Sequence, residues 1–272
     1  MINKTYARIA AGQVHLRHVA GPENALPLVM LHASPASSRS LEPLMLALGG
    51  SRPLYAFDTP GNGQSCAPAI AGPGVADYAA MLAEACDALE LDTFAVYGTH
   101  TGAHIATEWA LAQPDRVAGV VLDGVALIPQ EERAEYLERY APHKVPDDIG
   151  SQFHWAWAYM RDQMIFYPHY AKDAEHMRKG GSFDARVLHG LVLDILNNLE
   201  TYHQPYEAVF RHEVEASLAK LALPALIIIE GHSPLDPAGD RLHELIHGSQ
   251  VARDCGTSEA KAAAISAFLE TI

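Results

Sequence analysis

Val96-Tyr97-Gly98-Thr99-His100-Thr101-Gly102-Ala103 is the stretch that decides the fold of this chain. An apolar run, Thr93-Phe94-Ala95-Val96-Tyr97, leads into it, and a helix over about Thr101 to Gln113 leads out. Between them lies a Gly-x-His-x-Gly frame, whose small flanking residues let a strand turn sharply into a helix. Such a turn presents its central side chain from the N-terminus of the helix. Here that side chain is a histidine, so no hydroxyl or thiol stands at position 100 to attack a carbonyl. Chemistry at this position does not run through a serine ester.

Working outward, the same strand-then-helix rhythm repeats. Tyr6 to Ala10 and Val14 to Val19 read as a short hairpin. Leu28 to Leu31 and Pro53 to Phe57 are apolar on both faces, as buried strands are, and Val117 to Leu122 closes a third such run at Asp123-Gly124. Helices fit Leu41 to Leu48 and Val75 to Leu89. Strands alternating with helices in this way predict an α/β fold with a mostly parallel sheet and helices on both faces. The rhythm stops near Pro129, is helical to about Ser217, and resumes at Pro224 to Glu230. A helix from Asp240 to His247, a strand from Gln250 to Arg253 and a helix from Glu259 to Leu269 complete it. The expected organisation is a core of residues 1–128 and 218–272 with a helical cap, 129–217, inserted after the sixth strand. That middle block holds 13 of the 21 aromatic residues, which suits a lid with an aromatic pocket wall; it equally suits a small helical insertion that needs large residues for its own core.

A length of 272 residues fits one large domain of this kind. The formal net charge of −14 argues against nucleic acid or an anionic membrane as partner. The N-terminal residues Met1 to Tyr6 carry no apolar signal core, and Cys66, Cys86 and Cys255 have neither metal-ligand spacing nor a disulfide pattern. A cytoplasmic protein acting on a small molecule is expected, with homodimerisation left open.

Two further motifs join the first: Leu31-His32-Ala33-Ser34-Pro35, and Phe57-Asp58-Thr59-Pro60-Gly61-Asn62-Gly63-Gln64-Ser65. With them the chain resembles the α/β-hydrolase superfamily, of the type with a helical cap. The first of the two is similar to the family's oxyanion loop after the third strand, the second to its Asp-x-Pro-Gly-x-Gly-x-Ser turn, and the Gly-x-His-x-Gly frame to its nucleophile elbow. Gly61-Asn62-Gly63 lacks the lysine of a phosphate loop and the third glycine of a dinucleotide loop, so it reads as a structural turn. The resemblance implies the α/β-hydrolase fold, and with no dinucleotide or metal motif in the chain no cofactor is expected.

The resemblance also shows what is altered. The position of the usual acid after the seventh strand falls on Pro234, with Asp236 two residues late. Asp123, after the sixth strand, is the alternative acid position. The slot for the family's histidine falls on Thr257, and no histidine follows His247. A serine-histidine-aspartate mechanism needs a base for the nucleophile's proton and an acid to orient that base. Neither is in its usual place.

His100 stands at a helix N-terminus, where the dipole disfavours a cation, so a neutral imidazole is expected. A neutral imidazole accepts a proton on one nitrogen and donates from the other, which is general acid–base chemistry. The Thr101 amide, with a second donor at Ala33 or Ser34, would form the oxyanion hole. Catalysis is therefore assigned to His100 and Asp123, and substrate binding to His32, His154, Trp155, Trp157 and Arg161. Arg161 or His154 would offer a cation to a substrate carboxylate, although an Arg161–Asp162 surface pair is the plainer reading. His100 and His104 are spaced to chelate a metal with His32, but no acidic ligand is adjacent and no metal is expected. The function so implied is cleavage or rearrangement of a small carbonyl compound (an ester, thioester, lactone or C–C bond) without the usual triad. The rival is a hydrolase scaffold that binds or senses a ligand without chemistry.

Overall fold

In the computed structural model, which describes residues 1–272, eight strands form one sheet. They are β1 (Asn3–Ile9), β2 (Gly12–Val19), β3 (Leu28–Leu31), β4 (Leu54–Phe57), β5 (Phe94–Thr99), β6 (Val117–Asp123), β7 (Ala225–Ile228) and β8 (Gln250–Ala252). Their order in space is β1-β2-β4-β3-β5-β6-β7-β8. The β1–β2 and β2–β4 pairs are antiparallel and every other pair is parallel. The mostly parallel sheet is what the alternation of apolar strands and helices predicts, and its strand order is the α/β-hydrolase arrangement that the resemblance implies.

All four residues of β3 and of β7 are buried, because helices cover the sheet on both sides. Helices α2 (Val75–Ala88) and α3 (Thr101–Ala112) pack on one face, in a core that includes Tyr78, Leu82, Phe94, Trp109 and Val120. Helices α1 (Glu42–Leu48) and α10 (Ser258–Leu269) pack on the other, around Met30, Met45, Tyr97, Ile265 and Phe268. Between β6 and β7 the chain forms α4 (Arg133–Arg139), α5 (Ser151–Ile165), α6 (Ala185–Asn197), α7 (His203–Arg211) and α8 (Val214–Leu218). The first four of these share a third apolar cluster, separate from the other two and rich in aromatic rings: Tyr136, Tyr140, Tyr159, Tyr202, Tyr206 and Phe210. Helix α9 (Gly239–Leu245) lies between β7 and β8. No helix is long and apolar enough to cross a membrane.

The parallel strands β3, β5, β6 and β7 all end towards one edge, and the chemistry-bearing loops follow those ends. Such a crevice beyond the carboxyl ends of parallel strands is where open α/β sheets bind ligands.

Candidate active site

The turn after β5 is as tight as its sequence requires. His100 has φ 51° and ψ −112°, a conformation that non-glycine residues rarely adopt. A Cβ on Gly98 would meet the Gly102 carbonyl oxygen at 2.1 Å, and one on Gly102 would meet the Leu31 carbonyl oxygen at 2.4 Å. Only glycine fits at either place. The backbone is pinned on both sides: the His100 N–H donates to the Asp123 carbonyl at 2.9 Å, and its own carbonyl accepts from the Ala103 N–H at 3.0 Å. Strain held by this much surrounding structure is common at functional sites.

The His100 ring lies against Gly124, where an added Cβ would come within 3.3 Å of it. Its Nδ1 is 2.9 Å from the Thr99 hydroxyl, while Nε2 bonds to no protein group and the ring lines a cavity of about 270 Å³. Burial pushes the imidazole below the ordinary histidine range. Lys261 and Arg178 push the same way, while Asp123 and Glu230 oppose them. Neutral His100 is thus available in two forms. With the proton on Nδ1, which donates to Thr99, Nε2 offers a lone pair to the cavity; in the other tautomer Nε2 offers a proton.

Ala33, Ser34 and Thr101 line the same cavity. Thr101 opens α3, so its N–H has no partner inside the helix. The Ser34 N–H leans on the Thr101 hydroxyl at 3.4 Å, a long bond that an incoming oxyanion would replace. The loop is clasped from above by Tyr206 of α7, whose hydroxyl donates to the Ser34 carbonyl at 2.6 Å.

Asp123 is buried beside the elbow, and its carboxylate forms no hydrogen bond with the His100 ring. Its Oδ2 accepts instead from Tyr97 Oη at 2.5 Å and Lys261 Nζ at 2.6 Å, and its Oδ1 is buried without a partner. Lys261 also reaches Glu230 Oε1 at 2.5 Å. Burial alone would lower the Lys261 ammonium, but the two carboxylates outweigh it and hold the group charged. The residue at the family's histidine slot, Thr257, is exposed and caps α10, its hydroxyl accepting from the Ala260 N–H at 3.2 Å. Asp236 ties its own loop, accepting from the Glu230 and Ser233 N–H groups at 2.9 and 2.8 Å.

The other sequence-predicted residues lie elsewhere. His32 is buried beneath the loop; its Nδ1 donates to the Ala33 carbonyl and its Nε2 accepts from the Thr59 N–H at 3.0 Å. His154 is exposed, Trp157 is exposed, and Trp155 stacks on Tyr159; none of the three lines the cavity. Arg161 lies outside it too, paired with Asp162 at 2.7 Å, while Asp162 also holds Lys172 at 2.5 Å. The cavity wall from the inserted helices is made instead by Tyr140, Met160, Gln163, Tyr167, Leu191 and Tyr206, with Arg178 from the segment after α5. The Gly61–Gly63 turn is filled by the Asp58 carboxylate, which accepts from Ser38 and Gln64 amides at 2.7 and 2.9 Å and lies 2.8 Å from His15 Nδ1. A Cβ on Gly63 would strike that carboxylate at 2.1 Å.

His104, one turn past His100, is buried with its Nδ1 3.0 Å from His212 Nδ1, and His212 Nε2 meets Glu108 at 2.8 Å. The Nε2 of His104 is buried without a partner, and His104 lines a small side chamber of about 50 Å³ with Tyr136, Tyr140 and Phe210, which adjoins His100. The three rings considered as metal ligands, His32, His100 and His104, therefore turn to three different sets of partners.

The alpha/beta hydrolase fold family model matches residues 27–247, and the chain belongs to this family. No curated protein matches its sequence. Among solved structures it is similar to a hydrolase from Pseudomonas aeruginosa PA01, with TM-score 0.75 and 18% identity over 98% of each chain. An esterase from Rhodococcus sp. ECU1013 gives TM-score 0.69 and 20% identity, over 99% of this chain and 98% of that one. An N-acyl homoserine lactonase gives 0.68 and 18%, over 100% and 96%. At these identities the likeness is one of fold.

Proposed function

We propose that the chain is an enzyme that acts on a small carbonyl compound, with His100 as general acid–base and the Thr101 and Ser34 or Ala33 amides as oxyanion hole. The observation that carries this reading is the elbow itself: a strained histidine with a lone Nε2 facing a cavity, beside amides at a helix N-terminus. In hydrolysis, water adds to the carbonyl carbon as Nε2 takes its proton, and the C=O electron pair moves to the oxygen held by the amides. Collapse of that adduct restores the carbonyl and expels the leaving group, which takes the proton back from Nε2. In enolisation Nε2 takes a carbon-bound proton and the electron pair reaches the same oxygen. In retro-aldol C–C cleavage Nε2 takes a β-hydroxyl proton, a new C=O forms and the C–C bond breaks. The electron pair of that bond reaches the same oxygen as an enolate, which then takes the proton back at carbon.

Asp123 acts in this scheme through its charge rather than by a hydrogen bond to His100. That same feature favours the second reading, in which the pocket binds a ligand without chemistry, because no carboxylate orients the base. Incubating the wild-type protein with small esters, thioesters, lactones and β-dicarbonyls separates the two. Conversion of one class supports the enzyme; saturable binding of these compounds with no conversion of any supports the binding protein.

A further inference from the structure

The cavity that holds His100 has one formally charged wall residue, Arg178. Its position is built rather than incidental. The Arg178 N–H donates to the Ile165 carbonyl at 2.7 Å, Met177 bridges to Phe166 in antiparallel fashion, and Nη1 donates to the Gln163 carbonyl at 2.9 Å. These bonds hang the half-buried guanidinium from the last turn of α5 and use only one of its nitrogens.

No carboxylate pairs with it. The cavity wall has no acidic residue; on the outer side, where Arg178 also lines a second pocket, Asp236 is committed to the Glu230 and Ser233 amides and exposed Glu175 forms no ion pair with the guanidinium. Arg161, which has the same chemistry, is by contrast neutralised by Asp162 at 2.7 Å. In a chain of net charge −14 a partly buried cation without an anion is conspicuous, because a guanidinium withdrawn from water needs a counter-charge. The nitrogens left free are arranged as a fork that matches a carboxylate. Arg178 is also near enough to His100 to oppose its protonation.

Resting on the reading of this cavity as the substrate site, we infer that the substrate carries a carboxylate, which Arg178 binds while the rest of the molecule lies towards His100. The apolar and aromatic wall, with Tyr140, Met160 and Tyr206, and the side chamber by Phe210 suit a compact apolar body joined to that carboxylate. Arg178 thereby sets specificity, and its binding energy fixes the reacting carbonyl at the elbow.

The test is binding of phenylacetate against its uncharged isostere phenylacetamide, followed by calorimetry and by the histidine signals in heteronuclear NMR spectra. Phenylacetate is expected to bind about tenfold or more tightly than the amide, the range of a hydrogen-bonded charge pair. The preference should vanish in Arg178→Met, persist in part in Arg178→Lys, and stay intact in Arg161→Met. Circular dichroism and melting of each variant establish that the fold is kept. Equal affinity for acid and amide, failure of phenylacetate to bind, or a preference unchanged in Arg178→Met would each overturn the inference. Because the readout is binding, it is independent of turnover: absence of the acid preference in the wild type, or its survival in Arg178→Met, refutes the role of Arg178, whereas a catalytically silent His100 refutes the proposed chemistry alone.

Discussion

Lys261 Nζ lies 2.6 Å from Asp123 Oδ2, joining the first turns of the last helix to the end of the sixth strand directly behind the histidine elbow. Asp123 is 1% exposed at the side chain and Lys261 14%, so the pair is largely withdrawn from water. Tyr97 and Glu230 complete the cluster. A buried charge is tolerated only when paired and hydrogen-bonded, and here one lysine serves two carboxylates.

Removing that lysine should be costly. Lys261→Met is expected to destabilise the fold by about 3–5 kcal/mol, because it strands the Asp123 carboxylate in the interior. Adding Asp123→Asn to the same chain should restore much of the loss. Urea unfolding of the single and double variants measures this, and additive losses would show that the two groups are not coupled.

The same cluster sets the acid limb of any pH–rate profile. In the proposed reaction neutral His100 is the working form, so activity should hold above the ordinary histidine pKa and fall only at lower pH. Asp123 raises the His100 pKa, so Asp123→Asn should move the acid limb to still lower pH. Lys261 lowers it, so Lys261→Met should move the limb upward. Asp236→Asn, which changes a loop tie, should leave it in place. A shift in Asp236→Asn with none in Asp123→Asn would transfer the electrostatic role to the loop after the seventh strand.

Stability should carry a related signature. Burial lowers the pKa of His32, His100, His104 and His169 in the folded chain. In the unfolded chain these groups take up protons near pH ~6.5. Below that pH the unfolded state binds more protons, and the stability present above it is progressively lost. The urea midpoint should therefore fall between about pH 7 and pH 5, before most carboxylates titrate. A midpoint flat over that range would contradict the burial of these rings.

The two tryptophans of α5 should behave differently from each other. Trp155 packs on Tyr159 and Tyr202 with ring centroids 4.8 and 5.5 Å apart, so Trp155→Ala should cost about 3 kcal/mol. Trp157 is 37% exposed, and Trp157→Ala should change the melting temperature little. Neither should alter ligand affinity in a folded chain, since the wall is built by Tyr140, Met160 and Tyr206. Weakened binding in Trp157→Ala would place the ligand elsewhere.

How far the site was legible from sequence follows from how each residue is positioned. His100, Thr101 and Asp123 are fixed by the ends of strands whose apolar runs and flanking glycines are visible in the chain. Their places could be read before any coordinates. Lys261 was missed because only the packing of α10 across the sheet brings it to Asp123, four residues beyond the Thr257 slot. Its one sequence signal is a lysine in an otherwise alanine-rich helix. Arg178 comes from irregular chain after α5, where no periodicity assigns a direction, and Arg161 had the same chemistry on a more regular element. Arg161 pairs with its own neighbour Asp162 and lies outside the cavity, whereas Arg178 lines it. Trp155 and Trp157 also lie away from the cavity; a cluster of aromatic residues shows that large side chains are needed without showing which face they serve.

The most direct test of the account is kcat/KM for a converted carbonyl compound with and without the imidazole at position 100. His100→Ala should lower it by about 10²–10⁴-fold while leaving the melting temperature nearly unchanged, the range associated with loss of a general acid–base. His100→Ser should not recover it, because exposed Thr257 cannot accept a serine proton. Turnover by His100→Ala equal to that of the wild type would contradict the account, since it would place the chemistry away from the elbow.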